Sequence, residues 1–261
     1  MYFRSLTIGV LMLACCGGEA RATYKDLIGY PDLVELVDLL GLGVPTGVGI
    51  PITQVEASAS GGGTDPVYLP VASDPELAGK EIIDASDLGT GLPSTHALRV
   101  GLNFYGNDTS IAPALGSSAD DPVRVYLAED WLENVLRIEI RNIPVVTGSR
   151  IANHSWIGAD ENASVTADIL RRMDYLVDER DHIQIVGLPN SASDDLPLFK
   201  DAYNVISVGR TDALHKFDTV GVPGNDTYTA GRVAPTLVTS GFSKADSVAT
   251  SWSTPIVAAS T

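Results

Sequence analysis

Apolar positions along this chain alternate between helical and extended spacing. Between Tyr24 and Leu40 they fall at Leu33, Leu36, Val37 and Leu40, one face of a helix, with Gly41 placed as a C-cap. This predicts a packed N-terminal helix within residues 23–45. Pro and Gly punctuate residues 43–49, and Ile50 to Val55 then reads as a short extended run. Residues 58–66, Ser-Ala-Ser-Gly-Gly-Gly-Thr-Asp-Pro, have the composition of a flexible loop. Val123 to Leu127 reads as a strand, followed by a helical pattern through Trp131, Val135 and Ile138. Arg150 to Ser155 reads as the next strand. Ile169, Met173, Leu176 and Val177 then mark one face of an amphipathic helix, whose Arg171, Arg172, Asp174 and Glu179 are expected to face water. Ile183 to Val186 and Val205 to Val208 suit buried strands. Strand and helix in alternation predict an α/β domain with a largely parallel sheet. Sites in such sheets gather at the carboxyl ends of strands, and Glu56, Ser155 and Asn190 all fall at or just after one.

Composition sharpens this picture. The chain has 261 residues, 44% hydrophobic and 19% charged, enough for a sizeable core. Its net charge of −16 argues against nucleic acid or an anionic membrane surface as the main partner. The first 22 residues read as a signal peptide: Arg4 supplies the positive end, Leu6 to Cys16 the apolar run, and Ala20-Arg21-Ala22 the cleavage site. Export is therefore expected, to the outside or to a bacterial envelope. Both cysteines, Cys15 and Cys16, lie in this leader, so no disulfide is expected in the mature protein. Met12-Leu13-Ala14-Cys15 loosely matches a lipoprotein processing site, which would anchor the chain through Cys15 instead.

The candidate chemistry comes as an acid, a histidine and a serine, in that order. Acyl transfer needs a nucleophile, a base for its proton, an acid to orient the base, and donors for the oxyanion. Ser251, in Ala249-Thr250-Ser251-Trp252-Ser253-Thr254-Pro255, stands at the start of an apolar helix. His96 opens His96-Ala97-Leu98-Arg99-Val100-Gly101, and Glu56 ends Ile52-Thr53-Gln54-Val55-Glu56. Gln54, two residues earlier on the same strand face, competes for the acid position, although a glutamine cannot offset an imidazolium charge. Each segment alone has a plain structural reading; a Thr-Ser pair near a proline is an ordinary N-cap. His154, His182 and His215 read as structural.

Taken together these segments resemble the subtilase superfamily over about residues 48–261. Thr250, Ser251 and Pro255 match its Gly-Thr-Ser-x-x-x-Pro nucleophile motif, with Ala249 in place of the glycine. Ser110-Ile111-Ala112-Pro113-Ala114 is similar to the family's Gly-Ile-Ala-Pro-x-Ala stretch after the histidine. Ile183 to Asn190 is similar to its Ala-Ala-Gly-Asn strand end, and Tyr203 to Gly209 to its Asn-x-Ile-x-Val-Gly strand. Asn153-His154-Ser155-Trp156-Ile157-Gly158 is similar to its Asn-x-Ser-hydrophobic-Gly strand. The resemblance implies a subtilisin-like fold, mostly parallel with helices on both faces, and a serine endopeptidase acting on proteins or peptides. It implies Ser251 as nucleophile, His96 as base, Glu56 where aspartate is usual, and Asn190 as oxyanion donor. Ser155, Trp156 and Gly158 would line the substrate cleft. It further implies a domain continuing past Thr261, so that residues 46–261 form a C-terminally incomplete peptidase domain. No cofactor is expected, and no metal-ligand motif is present in the sequence. The departures keep a second reading open, an inactive peptide-binding or envelope module of the same fold.

Overall fold

The computed structural model describes residues 23–59, 65–87, 91–138, 142–190, 196–211, 235–241 and 248–261. The leader with Cys15 and Cys16, the glycines of the 58–66 loop and His215 lie outside them.

The expected N-terminal helix is two helices. Thr23 and Asp26 close a capping box on α1 (Tyr24–Leu27), and Gly29, at φ +72°, breaks the run before α2 (Tyr30–Leu39). Its packing also differs from expectation: Leu33, Leu36 and Leu40 are about half exposed or more (48%, 52% and 62%). Polar contacts attach the segment instead. Tyr24 Oη donates to Thr109 O (2.5 Å), Lys25 Nζ to Asp108 O (2.8 Å) and Tyr30 Oη to Ile111 O (3.3 Å). An apolar cavity of about 530 Å³, lined by Leu33, Val44, Leu237 and Ile256 among others, lies beneath it.

After this segment come β1 (Ile52–Glu56), β2 (Val67–Leu69), β3 (Ile82–Asp84), β4 (Leu92–Pro93), α3 (Thr95–Tyr105), β5 (Val123–Leu127) and α4 (Ala128–Asp130). They are followed by β6 (Ile151–His154), α5 (Ala163–Arg180), β7 (Ile183–Gly187), β8 (Ile206–Thr211), β9 (Leu237–Ser240) and α6 (Thr250–Ser260). Among the described residues, seven strands form a parallel sheet in the order β3-β5-β1-β6-β7-β8-β9, and β2 pairs with β4 apart from it. Strand alternation sends neighbouring residues to opposite faces. Ile52, Val125, Ile151, Ile185 and Val208 pack with Phe104 and Tyr105 of α3 and Val257 and Ala258 of α6. On the other face Val55, Ala152 and Val186 pack with Ile169, Met173 and Leu176 of α5 and with Trp131. The predicted α/β architecture, mostly parallel with helices on both faces, is the observed one.

Local differences have identifiable causes. The helical pattern expected through Ile138 becomes one turn, α4, and a π-turn at Trp131–Val135, ending where Arg137 takes φ +56°. The charged face of α5 is not simply solvated. Arg172 bonds Asp168 (2.9 Å) and donates to Leu136 O (2.9 Å) and Asn142 O (2.7 Å), taking up carbonyls beyond that π-turn. Asp174 accepts from Asn204 N (2.7 Å). The strand expected at 205–208 runs instead from Ile206 to Thr211.

Candidate active site

Strand β1 lies inside the sheet between β5 and β6, where the strand order departs to either side. A crevice forms at such a switch point, outside the carboxyl ends of the strands. Ile52, Gln54 and Glu56 share the α3 side of β1, and Glu56, the last residue of the strand, is 1% exposed. Helix α3 begins beside it because Ser94, in extended conformation, accepts from Ala97 N (3.3 Å) as an N-cap. That start places His96 in the first turn. His96 Nδ1–H donates to Glu56 Oε2 at 2.7 Å. With Nδ1 so engaged, the free lone pair of a neutral His96 is on Nε2. Burial opposes the imidazolium, but the hydrogen bond and negative charge of Glu56 outweigh it, and Arg99 only partly offsets them. The pKa of His96 is raised above 6.5 as a result.

Gln54 makes no hydrogen bond to His96. Its Nε2 donates to Glu56 Oε1 (2.8 Å) and to Ala97 O (2.9 Å), and its Oε1 accepts from Tyr105 Oη (2.6 Å). Of the two carboxyl-side candidates on β1, Glu56 is the one that meets the histidine. The sequence motifs do not single out Tyr105 as part of this site. Its signal is the spacing Ala97, Gly101, Tyr105, which puts two small residues on the helix face over which the tyrosine lies. A Cβ added at Gly101 would stand 2.6 Å from the Tyr105 hydroxyl.

Helix α6 packs against α3 and brings the second half of the site. Its N-cap, Ala249, supplies no side-chain acceptor, and Asn190 replaces it: Asn190 Oδ1 accepts from Thr250 N (2.9 Å) and from Thr250 Oγ1 (3.2 Å). An N–H can only donate, so the oxygen of Asn190 faces Thr250, leaving its amide nitrogen as the opposite end. Pro255 lies inside the helix and lacks the N–H that would bond the carbonyl four residues back. That carbonyl belongs to Ser251, and Ser155 Oγ donates to it at 3.2 Å. Ser251 Oγ in turn reaches Ser155 O only at 3.5 Å, so the serine hydroxyl is turned to the residue after β6 rather than bonded to His96. The next residue, Trp252, sets its ring 5.2 Å from the His96 ring, with the Arg99 guanidinium 5.8 Å above the indole. Ser253 is buried and its Oγ donates to Thr250 O (3.0 Å).

Ser155, Trp156 and Gly158, expected to line a cleft, follow directly on β6. Ser155, 5% exposed, supports the Ser251 turn. Trp156 is half-buried: its Nε1 donates to His154 Nδ1 (3.2 Å) and its ring packs edge-on to Phe199. Gly158 pairs with Leu198, Leu198 N donating to Gly158 O (3.0 Å). His154 and His182 are buried against Trp131, away from Glu56 and Ser251 in the packing. Among the described residues, no group of three or more His, Cys, Asp or Glu could hold a metal ion.

No protein-family model matches the chain, and no curated protein matches its sequence. Solved structures do. The prenylagaramide maturation protease PagA is 17% identical, with TM-score 0.53 over 80% of this chain and 72% of that one. The PatG macrocyclase in complex with peptide is 13% identical, with TM-score 0.54 over 90% and 79%. The protease domain of PatA is 14% identical, with TM-score 0.51 over 83% and 79%. Identities this low speak for the fold and for nothing finer. With its interior β1, its parallel order and its helices on both faces, the chain has the subtilisin-like fold of these protease domains.

Proposed function

We propose that this chain is an exported serine endopeptidase. The observation that carries the reading is the 2.7 Å bond between Glu56 and His96, made at the carboxyl end of the interior strand β1 beside the N-terminus of α6. Ser251 Oγ attacks the scissile carbonyl carbon while His96 Nε2 takes its proton. The oxyanion forms against Asn190 Nδ2 and the Ser251 backbone N–H. His96 then returns the proton to the leaving amine, and water repeats the sequence to release the acid. Glu56 stabilises the imidazolium throughout. Reaction requires the Ser251 hydroxyl to leave Ser155 O by rotation about its Cα–Cβ bond, a picosecond-to-nanosecond event. The peptide bound to the PatG macrocyclase supports peptides as the substrate class here. A leader cleaved after Ala22 would deliver the enzyme outside the cytoplasm, so the mature N-terminus should read from Thr23, and a lipid-modified Cys15 would overturn that part.

One observation favours the second reading, an inactive peptide-binding protein of the same fold: the Ser251 hydroxyl lies toward Ser155 O (3.5 Å) and makes no hydrogen bond to His96. A serine-reactive phosphonate separates the two. Labelling of Ser251 that His96→Ala abolishes supports the peptidase. A folded chain that takes up no probe and leaves casein intact is the binding protein.

A further inference from the structure

The hydrogen bonds around Gln54 run in a course that starts and ends on α3. Tyr105 donates to Gln54, Gln54 donates to Glu56 and to Ala97 O, and Glu56 accepts from His96. Tyr105, Gln54 and Glu56 are all buried. The amide has one possible orientation, since Glu56 Oε1 and Ala97 O only accept and so claim both of its N–H groups. Its oxygen must then face Tyr105, whose hydroxyl donates. We propose that Gln54, oriented by Tyr105, is the positioning residue for the Glu56–His96 pair: it holds the carboxylate in the rotamer that meets Nδ1 and stabilises its charge where water is excluded.

Three physical requirements converge on this side chain. Glu56 has one more torsion than an aspartate and swings unless its second oxygen is held. That second oxygen is buried, and a buried carboxylate oxygen without a donor destabilises the charge the histidine relies on. The donor must be neutral, because a glutamate at position 54 would set a second carboxylate 2.8 Å from the first. Tyr105 in turn lies where Gly101 leaves room for its hydroxyl. Burial and the nearby Glu56 charge push the phenol well above its usual range, so it stays a donor at any working pH.

This inference rests on the triad reading above, and its test does not. The Glu56–His96 pair carries one negative charge when deprotonated and none when protonated, so a donor aimed at Glu56 favours the deprotonated pair. Among the described residues, the charged or titratable groups facing the pair are Arg99 and Tyr105 of α3; α6 presents the uncharged Trp252 and β1 the uncharged Gln54. Titration of the His96 ring nitrogens by NMR in the whole chain reads the pair directly. In Gln54→Leu the midpoint should rise by about one unit, and in Tyr105→Phe by less. The double variant should match Gln54→Leu alone, because Tyr105 acts only through Gln54. For peptide cleavage, kcat should fall about tenfold or more with KM held, the scale of losing a partner that orients an active-site ligand. A His96 midpoint unmoved in both variants, or effects that add in the double variant, overturns the proposal. Should Gln54→Leu not fold, Tyr105→Phe, which keeps ring volume, decides alone. A parent chain without probe uptake or cleavage removes the peptidase reading and leaves this titration valid.

Discussion

With Glu56 Oε2 2.7 Å from Nδ1, the His96 imidazole holds a proton more tightly than a free histidine, and a base must be neutral to act. Cleavage should therefore rise with pH through a midpoint above 6.5, read from kcat/KM between about pH 5 and 9 on a fluorogenic peptide. Glu56→Gln removes the charge that raises the midpoint and leaves burial and Arg99, both of which lower it. The limb should move below 6.5 and kcat fall by about 10⁴-fold, as when a triad acid becomes an amide. A limb that stays in place would detach Glu56 from the base.

At the scale of elements, α6 is held by groups outside itself. Asn190 caps its first amide from another segment, and Ser155 satisfies the carbonyl that Pro255 leaves free. Asn190 has two ends, and one substitution separates their tasks. Asn190→Asp keeps an acceptor for Thr250 N but loses the N–H donor. Thermal stability should hold while kcat falls about 10²–10³-fold, the cost of one oxyanion donor. Asn190→Ala should lose the cap as well, about 1 kcal/mol, visible as a lower melting temperature. Helix α2 is the contrary case. Leu36 and Leu39 are 52% and 81% exposed, so Leu36→Gln and Leu39→Gln should each change unfolding free energy by less than about 0.5 kcal/mol in urea titrations.

The whole molecule carries a titration unrelated to cleavage. His154 and His182 are fully buried, and burial lowers the first to about 3 and the second to about 4. His154 donates through Nε2 to Gln184 and accepts from Trp156 through Nδ1, so it stays neutral within the fold. Both ring nitrogens of His182 are buried without a hydrogen-bond partner. The unfolded chain takes up protons on both residues near pH 6.5, whereas the folded chain resists until pH 3–4. Stability is thus full above 6.5 and falls as pH drops through that window. His182→Phe removes one proton site and two unsatisfied polar atoms beside Trp131. It should raise the melting temperature more at pH 5 than at pH 7.5. An equal gain at both would place the acid sensitivity elsewhere.

Much of this was legible before any coordinate. Alternating apolar spacing is a local consequence of burial, so β1, β5, β6, β7 and α5 could be read from their own letters, as could the parallel α/β class. Acid, histidine and serine could be placed at element ends because caps and strand termini are local features too. What local spacing cannot carry is which polar atom meets which. Gln54 and Glu56 share one strand face, and charge alone favours Glu56 for the acid; the docking of α3, with Ala97, Gly101 and Tyr105 along its inner side, is what brings the carboxylate to His96 and the amide to Tyr105. Trp156 reads as a cleft residue, and its contacts with Phe199 and His154 are set only by the fold. The leucines of α2 have a helical stripe, yet a stripe states only that a helix can bury one side. The polar anchors of Tyr24, Lys25 and Tyr30 on residues 108–111 decided that most of this stripe stays exposed. Periodicity belongs to the chain, whereas pairing depends on surfaces that meet only after it has folded.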